Sequence, residues 1–387
     1  MLRRLVLLAV VALVATTGCT AGKPPATPSP SRTTPPAPAG PQTFSVTVDA
    51  SNASFPIAAD AYFPDHLQVH PGDTIKFNEV FSGEPHTVTL GRLVDAEAAS
   101  EAVTPTASPT PSALPSFFPK PGRGGDPVAS AAQPCFLDTG TPPATAPCPL
   151  VTQPAFSGGQ AFYSSGWLPP TSTFSVPLSP TINPGTYAIR CLVHPTMTGR
   201  IEVVSPAQRI PPPAAVAATG SAQVAAVVTA LAPVARDAAA VTATNVAGIT
   251  LGAGVTNTLV TTFGPPELDV SVSQTVVFNV FGTHAIAVNP PDNAIGLLTK
   301  GADGVVHFNT AATRSLGGES PPSGAQTRPR SVFGGSYPGS GFHNSGLLIS
   351  YPPGLLSYSL TFTTPGTYSL RCLVHPAMTA SVLVSAS

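Results

Sequence analysis

The sequence predicts an all-β protein: two tandem Greek-key β-sandwich domains joined by a short Ala-rich helical linker. Three observations carry that prediction, namely an internal repeat, a texture of short β-branched runs between turn residues, and a shortage of helix-favouring charge. The repeat is the strongest. Pro184 to Thr198, PGTYAIRCLVHPTMT, matches Pro365 to Thr379, PGTYSLRCLVHPAMT, at twelve of fifteen positions. Upstream, Leu67 to Asn78 (LQVHPGDTIKFN) parallels Leu268 to Asn279 (LDVSVSQTVVFN), and each is followed within eight residues by a histidine, His86 or His284. A third pair, Phe162 to Leu168 (FYSSGWL) and Phe342 to Leu348 (FHNSGLL), keeps the same order. Copies of roughly 140–165 residues are far longer than a solenoid period and read as whole domains.

Composition narrows the function. Of 387 residues, 17 are Lys or Arg and 18 are Asp or Glu, so 9% are charged where an average domain has about a quarter. With a net charge of −1 and no basic stripe, the chain is not a nucleic-acid binder, and polybasic attraction to a membrane is excluded with it. The 48 Pro and 34 Gly, with few Glu and Lys, lean to β structure. Thr43 to Asp49, Thr74 to Asn78, Ser172 to Val176 and Tyr187 to Cys191 are alternating or β-branched runs set between Pro, Gly and Asn turns.

In chain order, residues 1–19 read as a secretion signal. Arg3 and Arg4 precede an apolar run, Leu5 to Val14, that is too short to span a bilayer, and small residues lead up to Cys19. The ending resembles a bacterial lipoprotein box, in which the cysteine is diacylated; Thr16 departs from the usual Leu, and plain secretion is the alternative. Two acyl chains would anchor the protein at the outer face of the cytoplasmic membrane. Residues 20–42 form a Pro-rich stalk. The first domain covers 43–205 with an insertion at 91–155. A linker follows at 206–244, in which RIPPP (Arg209 to Pro213) breaks the chain and Ala222 to Ala240 reads as a short helix kinked or restarted at Pro233, with a loose linker as the alternative. The second domain covers 245–387 with an insertion at 289–340. Both insertions are too long for ordinary connections and are expected to be partly disordered surface excursions. Cys135 and Cys148, in the first, are expected to pair as a disulfide outside the cytoplasm, with two buried free thiols as the alternative.

The chemistry lies in the repeated loop. RCLVHPTM spaces Cys191, His194 and Met197 at intervals of three, and RCLVHPAM repeats this with Cys372, His375 and Met378. Counting back by two puts Cys191, Ile189 and Tyr187 on the core face of a strand and Arg190 and Ala188 on the other. A Pro-containing loop then folds His and Met over the thiol, and His86 or His284 arrives from another strand. A thiolate, two imidazoles and a weak thioether are the trigonal His₂Cys set with axial Met that holds blue copper; structural zinc favours four Cys or His ligands.

Both halves thereby resemble cupredoxins, the plastocyanin-like blue copper domains, and the short Cys-x₂-His-x₂-Met loop is most similar to the amicyanin and pseudoazurin type. The resemblance covers about 43–205 and 245–387 without the insertions. It implies one type 1 copper per domain, two in total, held by His86, Cys191, His194 and Met197 and by His284, Cys372, His375 and Met378. Pro195 and Pro376 follow the second histidine as in amicyanin. Family members commonly carry Asn after the upstream histidine to brace the Cys loop; Thr87 and Ala285 stand there instead, and Ala285 offers no side-chain brace.

Remaining residues are read more plainly. His66 and His70 alternate with Leu67 and Val69 and belong on a solvated strand edge. His307 and His343 fall in or beside the second insertion without a ligand role, Trp167 is core or rim packing, and the acids form no paired arrangement for acid–base work. Electron transfer is the expected function, with the solvent-facing edge of His194 or His375 as the port and unidentified redox proteins docking by apolar shape. A multicopper oxidase or nitrite reductase is disfavoured because no His-x-His pair occurs and Arg190 and Arg371 precede the cysteines. Copper storage or delivery without a redox role is the alternative.

Overall fold

Alternation in the first strands sets the inner face of a sandwich. In β1 (Thr43–Val48), Phe44, Val46 and Val48 are buried while Thr43 and Ser45 face solvent, the period-two pattern of a half-buried strand. In β5 (Thr74–Glu79) the inward positions are Ile75, Phe77 and Glu79, so the buried row ends in a carboxylate. The structure is a computed structural model that describes residues 40–103, 154–194, 196–240, 248–255, 258–300, 306–322 and 326–386. The signal sequence with Cys19, the stalk up to residue 39, and Cys135 and Cys148 with most of the first insertion lie outside the described residues.

Between β1 and β5 run β2 (Ile57–Ala59), β3 (Tyr62–Phe63) and β4 (His66–Val69). After them come β6 (Thr89–Leu90), helix α1 (Arg92–Val103), β7 (Tyr163–Ser164), β8 (Thr173–Pro177), β9 (Gly185–Arg190) and β10 (Thr198–Val203). They form two sheets, ordered β3-β1-β5-β8 and β4-β10-β9-β6-β7. The pairs β1/β5 and β4/β10 are parallel and the others antiparallel, so the chain crosses between sheets in Greek-key fashion.

The second half repeats this plan. Its strands are β11 (Gly248–Val255), β12 (Thr258–Gly264), β13 (Glu267–Ser271), β14 (Thr275–Val280), β15 (Gly282–His284), β16 (Ile286–Val288), β17 (Leu298–Lys300) and β18 (Val306–Phe308). After the short helix Thr310–Thr313 come β19 (Arg330–Tyr337), β20 (His343–Asn344), β21 (Leu348–Ser350), β22 (Leu356–Phe362), β23 (Gly366–Cys372) and β24 (Thr379–Ser385). The sheets are ordered β19-β22-β14-β11-β12-β2 and β13-β24-β23-β16-β20, with parallel pairs β11/β14 and β13/β24 in the places of β1/β5 and β4/β10. The protein is all-β, built as two sandwiches of like strand order.

Two expectations need correcting. The second insertion is not simply a surface excursion: β19 joins the main sheet parallel to β22, with Val332 and Tyr337 in the core. Asn344 Nδ2 donates to the carbonyls of Ala311, Ala312 and Arg314, tying the insertion to β20. His343 is likewise buried, its Nε2 2.7 Å from the Tyr358 hydroxyl. Second, the connecting helix α2 runs over Pro213–Ala240, 28 residues, starting at the proline expected to break the chain and continuing through Pro233. Proline suits the first turn of a helix because its missing N–H would have no intrahelical partner there. An interior proline costs about 3 kcal/mol, which packing must offset: Leu231 is buried in a cluster with Ala50, Ile57, Phe63 and Val260, and the half-buried Val228 and Val234 pack against it. By length and composition Pro213–Ala238 could cross a membrane. Arg190, on the face away from Cys191, is also buried. Helix α1 packs against β9 on that strand, where Asp95 Oδ1 accepts the Ala188 N–H at 2.7 Å.

The two sandwiches share a sheet. β2 leaves the first domain to pair antiparallel with β12, Ile57 opposite Val260 and Ala59 opposite Thr258. α2 lies against β1, β3, β11 and β12, so it joins the domains by packing as well as by chain.

Candidate metal centres

Each Cys-His-Met loop closes on itself by the same two backbone bonds. Cys191 N donates to Met197 O at 3.0 Å and Met197 N to His194 O at 2.9 Å; Cys372 N donates to Met378 O and Met378 N to His375 O, both at 3.0 Å. This pinches the three side chains of each loop together at the end of β9 or β23. The upstream histidine reaches over from before β6 or from the end of β15. Leu192 N donates to Thr87 Oγ1 at 2.8 Å and Thr87 N to Cys191 Sγ at 3.4 Å, so Thr87 braces the first loop. Ala285 braces the second through its backbone: Leu373 N donates to Ala285 O at 3.0 Å.

The predicted site residues meet in two sets. Cys191 Sγ is 3.8 Å from His194 Nδ1, which is 3.2 Å from His86 Nδ1. Cys372 Sγ is 3.6 Å from both His284 Nδ1 and His375 Nδ1. All four histidines turn Nδ1 inward. Bonds of about 2.0–2.3 Å to one ion at angles of roughly 105–120° would separate the N and S ligand atoms by roughly 3.2–3.8 Å, so both sets fit a single ion apiece. Met197 and Met378 are buried in the same apolar clusters as the cysteines.

The electrostatics suit thiolates. Burial would push the Cys191 thiol up, but His194 and His86 outweigh it and hold it well below the ordinary thiol value. Cys372 is held low in the same way, against burial, by His284 and His375. A low-pKa thiol is the form that ligates a metal.

Outside the inner atoms the sites differ. His284 Nε2 donates to Phe281 O at 2.9 Å. The corresponding His86 Nε2 faces a carboxylate, Asp49 Oδ2, at 3.6 Å. Asp49, Glu79 and Asp60 crowd the first site. Burial lifts the Glu79 carboxyl to about 8, with His86 opposing, and the Asp60 carboxyl to about 7, with His194 opposing. The sequence reading missed these acids, expecting no acid arrangement. The signal lies in the repeat: Glu79 stands where the second copy has Val280, and the stretch to the histidine is seven positions in the first copy against four in the second. Glu84 sits in that longer stretch. His194 Nε2 donates to its Oε2 at 2.8 Å, and His375 Nε2 of the second domain lies 3.3 Å from its Oε1.

That contact overturns the expectation of a solvent-facing edge on His375, which is fully buried; His194 keeps 15% exposure. Trp167 packs on Leu298 and Val306 of the second domain.

No protein-family model and no curated protein matches the chain. Among solved structures it is similar to reduced auracyanin from Roseiflexus castenholzii, at 17% identity over 43% of this chain and 98% of that one, with a TM-score of 0.22. A reduced Cu(I) amicyanin variant is 20% identical over 38% of this chain and 89% of its own, TM-score 0.18. A purple cupredoxin from Nitrosopumilus maritimus is 18% identical over 36% and 99%, TM-score 0.19.

Proposed function

We propose that the chain is an exported electron-transfer protein that holds two copper ions, one in each sandwich, through His86, Cys191, His194 and Met197 and through His284, Cys372, His375 and Met378. The observation that carries this is the duplicated convergence of one Sγ and two Nδ1 atoms beside a buried Met. Copper in such a set supplies one-electron chemistry between Cu(I) and Cu(II). The residues supply rigidity. The loop's backbone bonds, Thr87 and the Ala285 carbonyl hold the donor atoms in one geometry, and a geometry that does not relax lets charge change with little rearrangement. Burial keeps water from the thiolates. Retention by buried ligands speaks for redox work over storage or delivery, and the lack of a His-x-His pair speaks against an oxidase or reductase. Anchoring through Cys19 would place the protein at the outer face of the cytoplasmic membrane, exchanging electrons with redox proteins there.

The test is the visible spectrum and redox titration of the copper-loaded full chain. A strong thiolate-to-copper band at two coppers per chain is expected, with Cys191→Ser and Cys372→Ser each removing about half of it. Absence of the band would overturn the electron-transfer reading.

A further inference from the structure

The loop that carries Glu84 has no counterpart in the second domain and is held firmly in the first. Phe81 N donates to Glu79 Oε1 at 2.9 Å and Ser82 N to Asp49 Oδ2 at 2.6 Å. Asp49 Oδ1 in turn accepts the Ala50 and Ala59 N–H groups, so the loop is pinned to the buried end of β1 and to β2. From this anchorage it presses on the second domain's Cys-His-Met loop. A Cβ on Gly83, whose φ is +130°, would stand 2.4 Å from Val374 O and 2.9 Å from His375 Cα, a fit that admits no side chain. Glu84, the next residue, is 3% exposed. Its Oε2 accepts a hydrogen bond from His194 Nε2 at 2.8 Å. Its Oε1 and His375 Nε2 are both buried and, among the described residues, make no well-aligned hydrogen bond, yet they face each other at 3.3 Å. Each is the group that would complete the other.

We propose that Glu84 joins the two ligand sets into one unit: a single carboxylate of the first domain is the outer acceptor for His194 of the first site and His375 of the second. It rests on the reading of both sets as copper sites. A ligating imidazole is oriented and made more basic by the group that accepts its other N–H. The second site therefore takes that group from a different domain, and its properties depend on docking. Glu84 is a positioning residue: it touches the ligands and not the metal. Gly83 and Glu84 lie over His375, which is fully buried, so His194, with 15% exposure, is the more accessible of the pair.

The experiment isolates the second site in the full chain with Cys191→Ser, which removes the first thiolate. Glu84→Gln, close in shape and without the charge, is then added. The expected results are an upward shift of the second site's potential and a copper affinity weakened about 10–100-fold, with Glu84→Asp restoring part of each. A copper-free arm keeps the two readings apart. In the apo protein, Glu84→Gln should shift the side-chain ¹⁵N signals of His375 and leave those of His284 in place. Those shifts without a thiolate band in the parent would overturn the copper assignment while upholding the Glu84 link. Unchanged His375 signals, or an unchanged second-site potential, would overturn the link. Circular dichroism and thermal unfolding of each variant show whether the fold is intact.

Discussion

The position after the upstream histidine shows how the same loop can be held by different atoms. Thr87 accepts the Leu192 N–H with its hydroxyl, while in the second domain a backbone carbonyl, that of Ala285, accepts the equivalent Leu373 N–H. The sequence suggested that Ala285 could not brace anything, because only side chains are visible in a sequence; the backbone's own acceptor was not legible there. The two positions should respond differently. Thr87→Val keeps the volume but leaves the Leu192 N–H buried without its acceptor, a loss of about 1–3 kcal/mol. Thermal unfolding of the metal-free protein should show that drop, while Ala285→Ser should leave the Leu373 bond and the unfolding midpoint largely unchanged. Equal effects at both positions would mean that the hydroxyl is not what holds the first loop.

At the scale of elements, what the residues declared in advance was the period-two strands and the repeated loop. Phe44, Val46 and Val48 alternate as a half-buried strand should, and RCLVHPTM brought its Cys and His to one point, with Met197 buried in the same apolar cluster as Cys191. What stayed hidden has physical causes. The strand Arg330–Tyr337 sits in a Gly-, Ser- and Pro-rich stretch whose composition resembles loop, and only partners on β22 give it a role in the core. The helix Pro213–Ala240 looked broken at Pro233 because propensity penalises an interior proline, whereas tertiary packing on two sandwiches carries the element through. If packing sustains it, a core truncation beside the proline should cost more than a surface change on the same helix. Leu231→Ala is expected to destabilise by about 2–5 kcal/mol, and Ala226→Ser on an exposed position by less than about 0.5 kcal/mol. Denaturant titration of the full chain distinguishes the two; similar small losses would show that the helix rests on the sheets without holding them.

The whole molecule is two copies of one fold that are no longer equivalent. The first copy gathered Asp49, Asp60, Glu79 and Glu84 around its ligands, and the second kept a carbonyl behind His284 and lost the solvent face of His375. Asp49, Asp60 and Glu79 surround the first site within its own domain, and Glu84 gains its second histidine only where the domains meet. The contact between the domains is narrow at its centre and should be sensitive to one methyl group. Gly83 lies against the backbone of Val374 and His375, and its positive φ disfavours any other residue. Gly83→Ala should therefore lift the loop from the second site without touching a ligand. Modification of the metal-free protein with diethyl pyrocarbonate, read by peptide mass, checks this. His375, buried in the native protein, should be protected there and become reactive in the variant, while His284, enclosed within its own sandwich, stays protected in both. Continued protection of His375 in a folded Gly83→Ala protein would mean that something other than this loop covers it, and the second site would then be buried by its own domain.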